Sequence, residues 1–160
     1  MQTRTRVLTL AAAGAATLAV AVPAAQGTIV PQQGMAGVKL GMSQAKVQGV
    51  LGQPLRAATG SNDFGPYTQL FYPYRVVVTF QGNAGATAVS TSGVRERTAK
   101  GAGVGSTEAR LKAAHPALVC ETFVGTRSCH LGSFLPGKRV TDFLLRKGKV
   151  VRVTVGVVID

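Results

Sequence analysis

The feature that most constrains the fold of this chain is an internal repeat. Segment 40–50 aligns with segment 104–114, so that Ser43 matches Thr107, and the other matched pairs include Gly with Gly, Ala with Ala and Lys with Arg. Farther along, glycines bound both 85–93 and 148–156 at nearly the same offset. Self-similarity of this kind indicates that one structural unit occurs twice.

Each copy is predicted to begin with a short helix and to continue as strands. Ser43 and Thr107 are suitable N-caps, and Pro54 and Pro116 end the helical patterns. The β-branched and aromatic residues of 68–80 predict strands, as do 139–146 and 149–158. We therefore expect an α+β fold of two tandem helix-plus-antiparallel-sheet repeats, with the helices packed on one face of the sheet.

The last two strands are predicted to form a hairpin through a three-residue loop, Arg146 to Gly148, with Gly148 in the left-handed position. This register sets Asp142 opposite Arg152, which favours it over a two-residue turn that would place Phe143 opposite Arg152. It also puts one set of apolar side chains on the face toward the helix: Phe143, Val151, Val153, Val155 and Val157.

The N-terminal segment is typical of a secretory signal peptide, with Arg4 and Arg6 before an uncharged apolar run and small residues around 22–27. A membrane anchor is the alternative, but the run of about 16 residues is shorter than a spanning helix requires. We expect this organisation: signal peptide 1–25, flexible leader 26–36, first repeat 37–93, linker 94–103 and second repeat 104–160. The mature protein would then lie outside the cytoplasm with no membrane span.

Cys120 and Cys129 are the two cysteines of the chain. In an oxidising compartment a pair nine positions apart predicts one disulfide, whereas a redox or metal pair would need C-x-x-C spacing or further ligands. We expect no metal site and no cofactor.

The chain has a large excess of basic over acidic residues, and this excess bears on the kind of partner it could bind. The 160 residues include 18 Lys and Arg but 6 Asp and Glu, and loss of Arg4 and Arg6 would leave 16 basic residues. Such an excess attracts anionic partners, although a solvated surface is the simpler interpretation. Besides Arg95, Arg97 and Lys100, one predicted basic patch comprises Lys138, Arg139, Arg146, Lys147, Lys149 and Arg152.

Aromatic residues are concentrated between residues 64 and 74. Strand alternation would place Tyr72 and Tyr74 on one face, and tyrosines are common in protein interfaces. Packing in the core is the alternative for about half of these rings. The candidate binding residues are Phe64, Tyr67, Tyr72, Tyr74 and Arg75.

The pattern Leu40-Gly41-Met42-Ser43-x-x-x-Val47-x-x-x-Leu51-Gly52-x-Pro54 resembles a signature of the superfamily that contains the β-lactamase-inhibitory proteins and the small outer-membrane-assembly lipoproteins. The tandem arrangement is more similar to the inhibitory proteins, and the stretch through Cys129 resembles secreted actinobacterial members. The resemblance implies the fold but no inhibitory residues, since this chain has no Trp and no cysteine for lipid attachment.

The sequence contains no set of residues arranged for catalysis, such as a Gly-x-Ser-x-Gly elbow. We therefore expect a secreted, non-enzymatic protein-binding module with an aromatic contact surface on its sheet, with inhibition of the partner as one form of that activity. The alternative is a cationic envelope protein held on anionic wall polymer. Nucleic acid is not an expected partner, because an exported protein would lie in a different compartment from the nucleic acid of the cell.

Overall fold

The computed structural model describes residues 28–159, so the predicted signal peptide 1–25 lies outside the described residues. Half of the structure is strand and 14% is helix. Three short strands come first: β1 (Ile29–Val30), β2 (Gly34–Met35) and β3 (Val38–Lys39). The helices are α1 (Gln44–Leu51) and α2 (Glu108–Ala114), and a 3-10 turn occupies Pro73–Arg75. The longer strands are β4 (Arg56–Asn62), β5 (Gly65–Tyr72), β6 (Val76–Gln81), β7 (Ala86–Thr91), β8 (Val119–Phe123), β9 (Thr126–Gly132), β10 (Arg139–Arg146) and β11 (Lys149–Val157).

The longer strands form one antiparallel sheet in the order β4-β5-β6-β7-β11-β10-β9-β8. Strands β7 and β11 pair at its centre, with Val89 opposite Val155. The predicted α+β fold of two tandem helix-plus-sheet repeats is therefore wrong, because the molecule is a mostly β structure with two helices of eight and seven residues. Each helix is too short to bury a core of its own. The core is therefore built on the apolar face of the sheet that both halves share.

The helices begin where the sequence predicts, because a hydroxyl accepts from the backbone in each first turn. Ser43 Oγ accepts from the N–H of Lys46 at 3.4 Å, and Thr107 Oγ1 accepts from that of Arg110 at 3.2 Å. Both N-cap predictions are confirmed. Val47 and Leu111 are fully buried, which fixes the face that each helix turns to the sheet.

The core lies between one face of the sheet and a layer made of α1, α2 and the short strands. Its centre is Phe143, with 0% exposure, and it includes Ile29 and Met35 at 1% each. The prediction of a flexible leader at 26–36 is therefore wrong over the described part. The Ile29 N–H donates to the Arg97 carbonyl at 2.8 Å, which ties this segment to the connection after β7.

The predicted linker 94–103 does connect β7 to the second helix, but it is packed rather than flexible. Ala102 is fully buried, and Glu96 and Thr98 are each 3% exposed. The Thr98 hydroxyl accepts from the Ala102 N–H at 3.1 Å, which closes a compact turn.

The final hairpin has a different register from the predicted one. Arg146 pairs with Lys149, so the turn has two residues, Lys147 and Gly148, and both have positive φ. A bulge between Leu144 and Leu145 then shifts the pairing by one residue. Phe143 is therefore opposite Val153, and Asp142 is opposite Thr154 rather than Arg152. The bulge keeps Val153 and Val155 in the core as expected but replaces Val151 with the buried Val150.

Substitution of Ile29 tests whether the N-terminal strands are part of the core. We expect Ile29→Ala to lower the free energy of unfolding by about 2–5 kcal/mol, as for other buried aliphatic truncations. Val30→Ala is the matched control, because Val30 is 44% exposed, and it should change stability by about 0.5 kcal/mol or less. Urea unfolding measures both, and equal effects of the two variants would contradict this packing.

Candidate functional site

We call the face of the sheet opposite the helices the open face. Side chains alternate along a strand, so the neighbours of the buried Val89, Phe143 and Val155 point to this side. Direct cross-strand pairing defines one row across all eight strands: Arg56, Phe71, Val77, Ser90, Thr154, Asp142, His130 and Val119. A parallel row contains Ala58, Gln69, Thr79, Ala88, Gly156 and Val140.

The centre of the open face is lined by small residues. Ser90 and Thr154 are paired there, and Ala88 is paired with Gly156. A Cβ on Gly156 would lie 3.3 Å from the Cβ of Ala88, so the backbones are nearly bare at this point. Seven interstrand steps of about 4.8 Å make this surface roughly 34 Å wide.

One edge of the open face carries aromatic rings and a cation. The Arg56 guanidinium lies 3.7 Å from the centroid of the Phe71 ring, a cation–π contact. Farther along the same two strands, the Tyr67 ring covers Gly60, because a Cβ at Gly60 would lie 2.5 Å from the tyrosine oxygen. Tyr67 and Phe71 therefore form the aromatic part of the open face.

The other edge carries ionisable groups. His130 Nδ1 lies 3.8 Å from Glu121 Oε1, and the Phe134 ring packs edge-on against the imidazole with centroids 4.7 Å apart. Burial raises the pKa of Asp142, and Glu121 adds to this, whereas the Ser128 hydroxyl and the charge of His130 lower it. Because Ser128 interacts with the carboxylate rather than the imidazole, these side chains lack the order of a nucleophilic triad, in which histidine lies between the other two.

The candidate aromatic residues do not form one surface. Tyr72 points into the core at 4% exposure, and burial raises the pKa of its hydroxyl. Tyr74 and Arg75 lie in the exposed 3-10 turn, and Phe64 is exposed at the turn between β4 and β5. The alternation that would place Tyr72 and Tyr74 on one face fails because Pro73 ends the strand. In the sequence, this proline is the signal that the strand stops before Tyr74. Phe71, which was not a candidate, belongs to the open face.

The predicted basic patch is also divided. Lys138 and Arg139 lie at the start of β10, whereas Arg146, Lys147 and Lys149 surround the turn at its other end. Seven residue steps along the strand separate Arg139 from Arg146, roughly 23 Å. Arg152 is exposed on the open face, so the six residues form two terminal groups and one isolated cation.

The disulfide prediction is confirmed, since Cys120 and Cys129 are bonded and lie directly opposite each other on β8 and β9. Glu108 is close to both sulfurs, but the sulfurs are held in the disulfide and the carboxylate is paired. Arg127 donates to Glu108 through two nitrogens at 2.6 and 3.0 Å, and Lys112 lies 2.8 Å away. Hydrogen bonds from Arg127 and then Lys112 lower the pKa of Glu108 to about 2.

Comparisons with known proteins place the chain in no family. No family model matches the sequence, and no curated protein matches it. Two solved structures are similar in part: an extracellular protein containing an SCP domain from Bacillus anthracis strain Ames, with 11% identity and a TM-score of 0.48, and a DUF4309 family protein from Bacillus subtilis, with 14% identity and a TM-score of 0.49. The matches cover 73% and 82% of this chain, with 43% of the first structure and 88% of the second. This chain therefore spans less than half the length of the first.

None of the helices in 28–159 is long and apolar enough to cross a bilayer. The disulfide is typical of proteins from oxidising compartments, which agrees with secretion.

The pairing of Glu108 should be visible in the pH dependence of stability. A carboxylate with a lowered pKa stabilises the fold when the pH is above 4.5, the ordinary pKa of Glu. This contribution is lost as the pH falls toward 2. We expect Arg127→Ala to be less stable than the wild type at pH 6, with a difference that shrinks between pH 4.5 and pH 2. Urea unfolding across this range is the measurement, with Lys138→Ala as an exposed control. A pH-independent difference would contradict the pairing.

Asp142 should show the opposite dependence, because its pKa is raised in the folded state. Such a group loses stabilisation as the pH rises from the ordinary pKa of 3.8 through the folded value. We expect Asp142→Asn to gain stability relative to the wild type between pH 3 and pH 7. Thermal unfolding at both pH values tests this, and a constant difference would argue against burial of the charge.

Proposed function

We propose that this chain is an exported binding module that recognises an anionic extracellular protein through its open face. The observation that carries the proposal is a wide sheet surface, covered in part near His130 by Phe134 and otherwise free of the helix layer, on a molecule whose exposed charges are mainly cationic. Secretion is part of the proposal and is supported by the disulfide and by the N-terminal sequence pattern.

The distribution of the few acidic residues supports an anionic partner. Within 28–159, Glu108 is held by two cations, and Glu96 and Asp142 are largely removed from solvent. Asp63 and Glu121 remain on the surface. Of the 16 Lys and Arg residues in the same range, Arg127 and Lys112 form ion pairs. The uncompensated surface charge would speed association with a negatively charged protein.

The dimensions of the open face also suit a protein partner. A width of roughly 34 Å and a strand length of roughly 20 Å give about 700 Å², close to the roughly 800 Å² that one partner contributes to a standard interface. The small central residues would let a partner approach the backbone closely. Arg56 and Tyr67 at one edge are of the residue types that dominate binding energies, and Phe71 is of a type enriched in interface cores.

The resemblance to the inhibitory-protein superfamily adds a more specific form of this proposal. A partner bound across the open face would have part of its own surface blocked, and inhibition follows if that part contains an active site. The proposal assigns no catalytic residue to this chain.

A second candidate function is retention on anionic wall polymer. The observation that favours it is the position of the two basic groups at opposite ends of the β10–β11 hairpin, because a flexible polyanion can contact both at once. This alternative depends on total charge rather than on the open face.

Two double variants with equal charge distinguish the candidates. Arg56→Ala/Arg152→Ala removes two cations from the open face, and Lys39→Ala/Lys46→Ala removes two exposed cations from the helix side. We expect the first pair to lower the amount of a specific extracellular protein captured by the immobilised chain by at least tenfold, with little effect of the second. Mass spectrometry of the captured protein and quantitative blotting give the comparison.

The wall-polymer alternative predicts equal losses for both pairs, together with release by salt, because screening weakens exposed charge pairs. Binding of the purified variants to a polyglutamate column, eluted with a salt gradient, measures that component directly. Equal losses of protein capture by the two double variants would overturn the proposed role of the open face.

A further inference from the structure

A cavity of about 300 Å³ lies on the helix side of the sheet, away from the open face. Its apolar walls come from Val50 and Leu51 of α1, from Pro73 and from Val76 of β6. The segment after β7 closes it with Glu96. This volume is at the lower end of the roughly 300–1,000 Å³ of ligand sites, so an occupant must be small.

Two of the residues that line the cavity, Tyr72 and Glu96, each have a buried polar atom with no hydrogen-bond partner within residues 28–159. These atoms are the Tyr72 hydroxyl and Oε2 of Glu96. Tyr72 is 4% exposed and Glu96 is 3% exposed. A buried carboxylate oxygen without a hydrogen-bond donor is costly, because it has lost its hydration without replacement. The arrangement therefore favours a donor that enters from outside.

The protein's own cations are committed elsewhere in the described part of the chain. Arg95 lines the rim, but its guanidinium lies 4.0 Å from the centroid of the Tyr74 ring. Arg97, the other neighbouring cation, donates to the Val94 carbonyl at 3.1 Å and to Ser106. Neither forms an ion pair with Glu96 among the salt bridges of residues 28–159.

The rim itself is held in an unusual conformation. Tyr74 and Arg75 both lie in the left-handed region, with φ of 60° and 62°. Such residues carry strain that the surrounding structure must offset, and they are concentrated at binding sites. Gly93 makes this possible, because a Cβ there would lie 2.2 Å from the Tyr74 carbonyl oxygen. The stacked Tyr74–Arg95 pair is thus fixed at the entrance.

We propose that this cavity binds a small organic cation, namely a primary ammonium group on a short apolar chain. The ammonium donates hydrogen bonds to Glu96 and to the Tyr72 oxygen, and its positive charge balances the buried carboxylate. The apolar chain packs against Val50, Leu51 and Val76. The inference does not rest on the proposed function, since the cavity and the open face lie on opposite sides of the sheet.

The test uses n-pentylammonium as the probe and 1-pentanol as its neutral counterpart, titrated into the protein by NMR. We expect pentylammonium to bind at least tenfold more tightly, with the largest amide shift changes in 72–76 and 95–97. Glu96→Gln should abolish the preference for the cation, and Tyr72→Phe should weaken binding several-fold. Glu121→Gln is the matched control, because it removes the same charge from an exposed position.

Three results would overturn the proposal. Equal affinities for the amine and the alcohol would show that the carboxylate plays no part, and absence of saturable binding would leave water as the occupant. Equal effects of Glu96→Gln and Glu121→Gln on binding would show that the affinity depends on the net charge of the protein and not on Glu96. If Glu96→Gln does not fold, Val50→Phe provides the second variant, because it fills the cavity without touching the carboxylate and must also prevent pentylammonium binding.

Discussion

The pairing of β7 with β11 is the interaction on which the rest of the structure depends. Val89 and Val155 meet there with 0% exposure, and this contact joins two groups of four strands into one sheet. A single sheet has two faces, and a chain of this length can bury one of them well. One face therefore becomes the core and the other becomes the open face.

The size of that sheet explains why segments expected to be connections are part of the core. A helix of eight residues is about 12 Å long, whereas the sheet is roughly 34 Å wide. The two helices cannot cover it, so β1, β2 and the segment after β7 complete the layer. Ile29 and Ala102 are buried for this reason, although neither segment has a periodicity that would mark it as a structural element.

Local features of the sequence were predictable, and features set by the assembled sheet were not. The N-caps at Ser43 and Thr107 and the disulfide depend on nearby residues, and these predictions are confirmed. The hairpin register was wrong because the bulge at Leu144 results from the need to bury Phe143 and Val153 on one face. Tyr72 and Tyr74 were wrongly placed on one face because they flank a proline that ends the strand. Glu96 offered no sequence pattern, since a single acid in a connection is usually exposed.

The position of Glu96 has a larger meaning in a chain with so few acids. An exposed cation is hydrated and costs little, whereas a buried, unpaired carboxylate is penalised by desolvation. Asp142 and Glu96 each have a buried carboxylate oxygen without a hydrogen-bond partner within residues 28–159. Of the two, Glu96 lines a cavity together with Tyr72, whose hydroxyl also lacks a partner. A ligand that supplies the missing charge turns the same carboxylate into a stabilising contact, which is why the cavity and the cationic exterior call for partners of opposite sign.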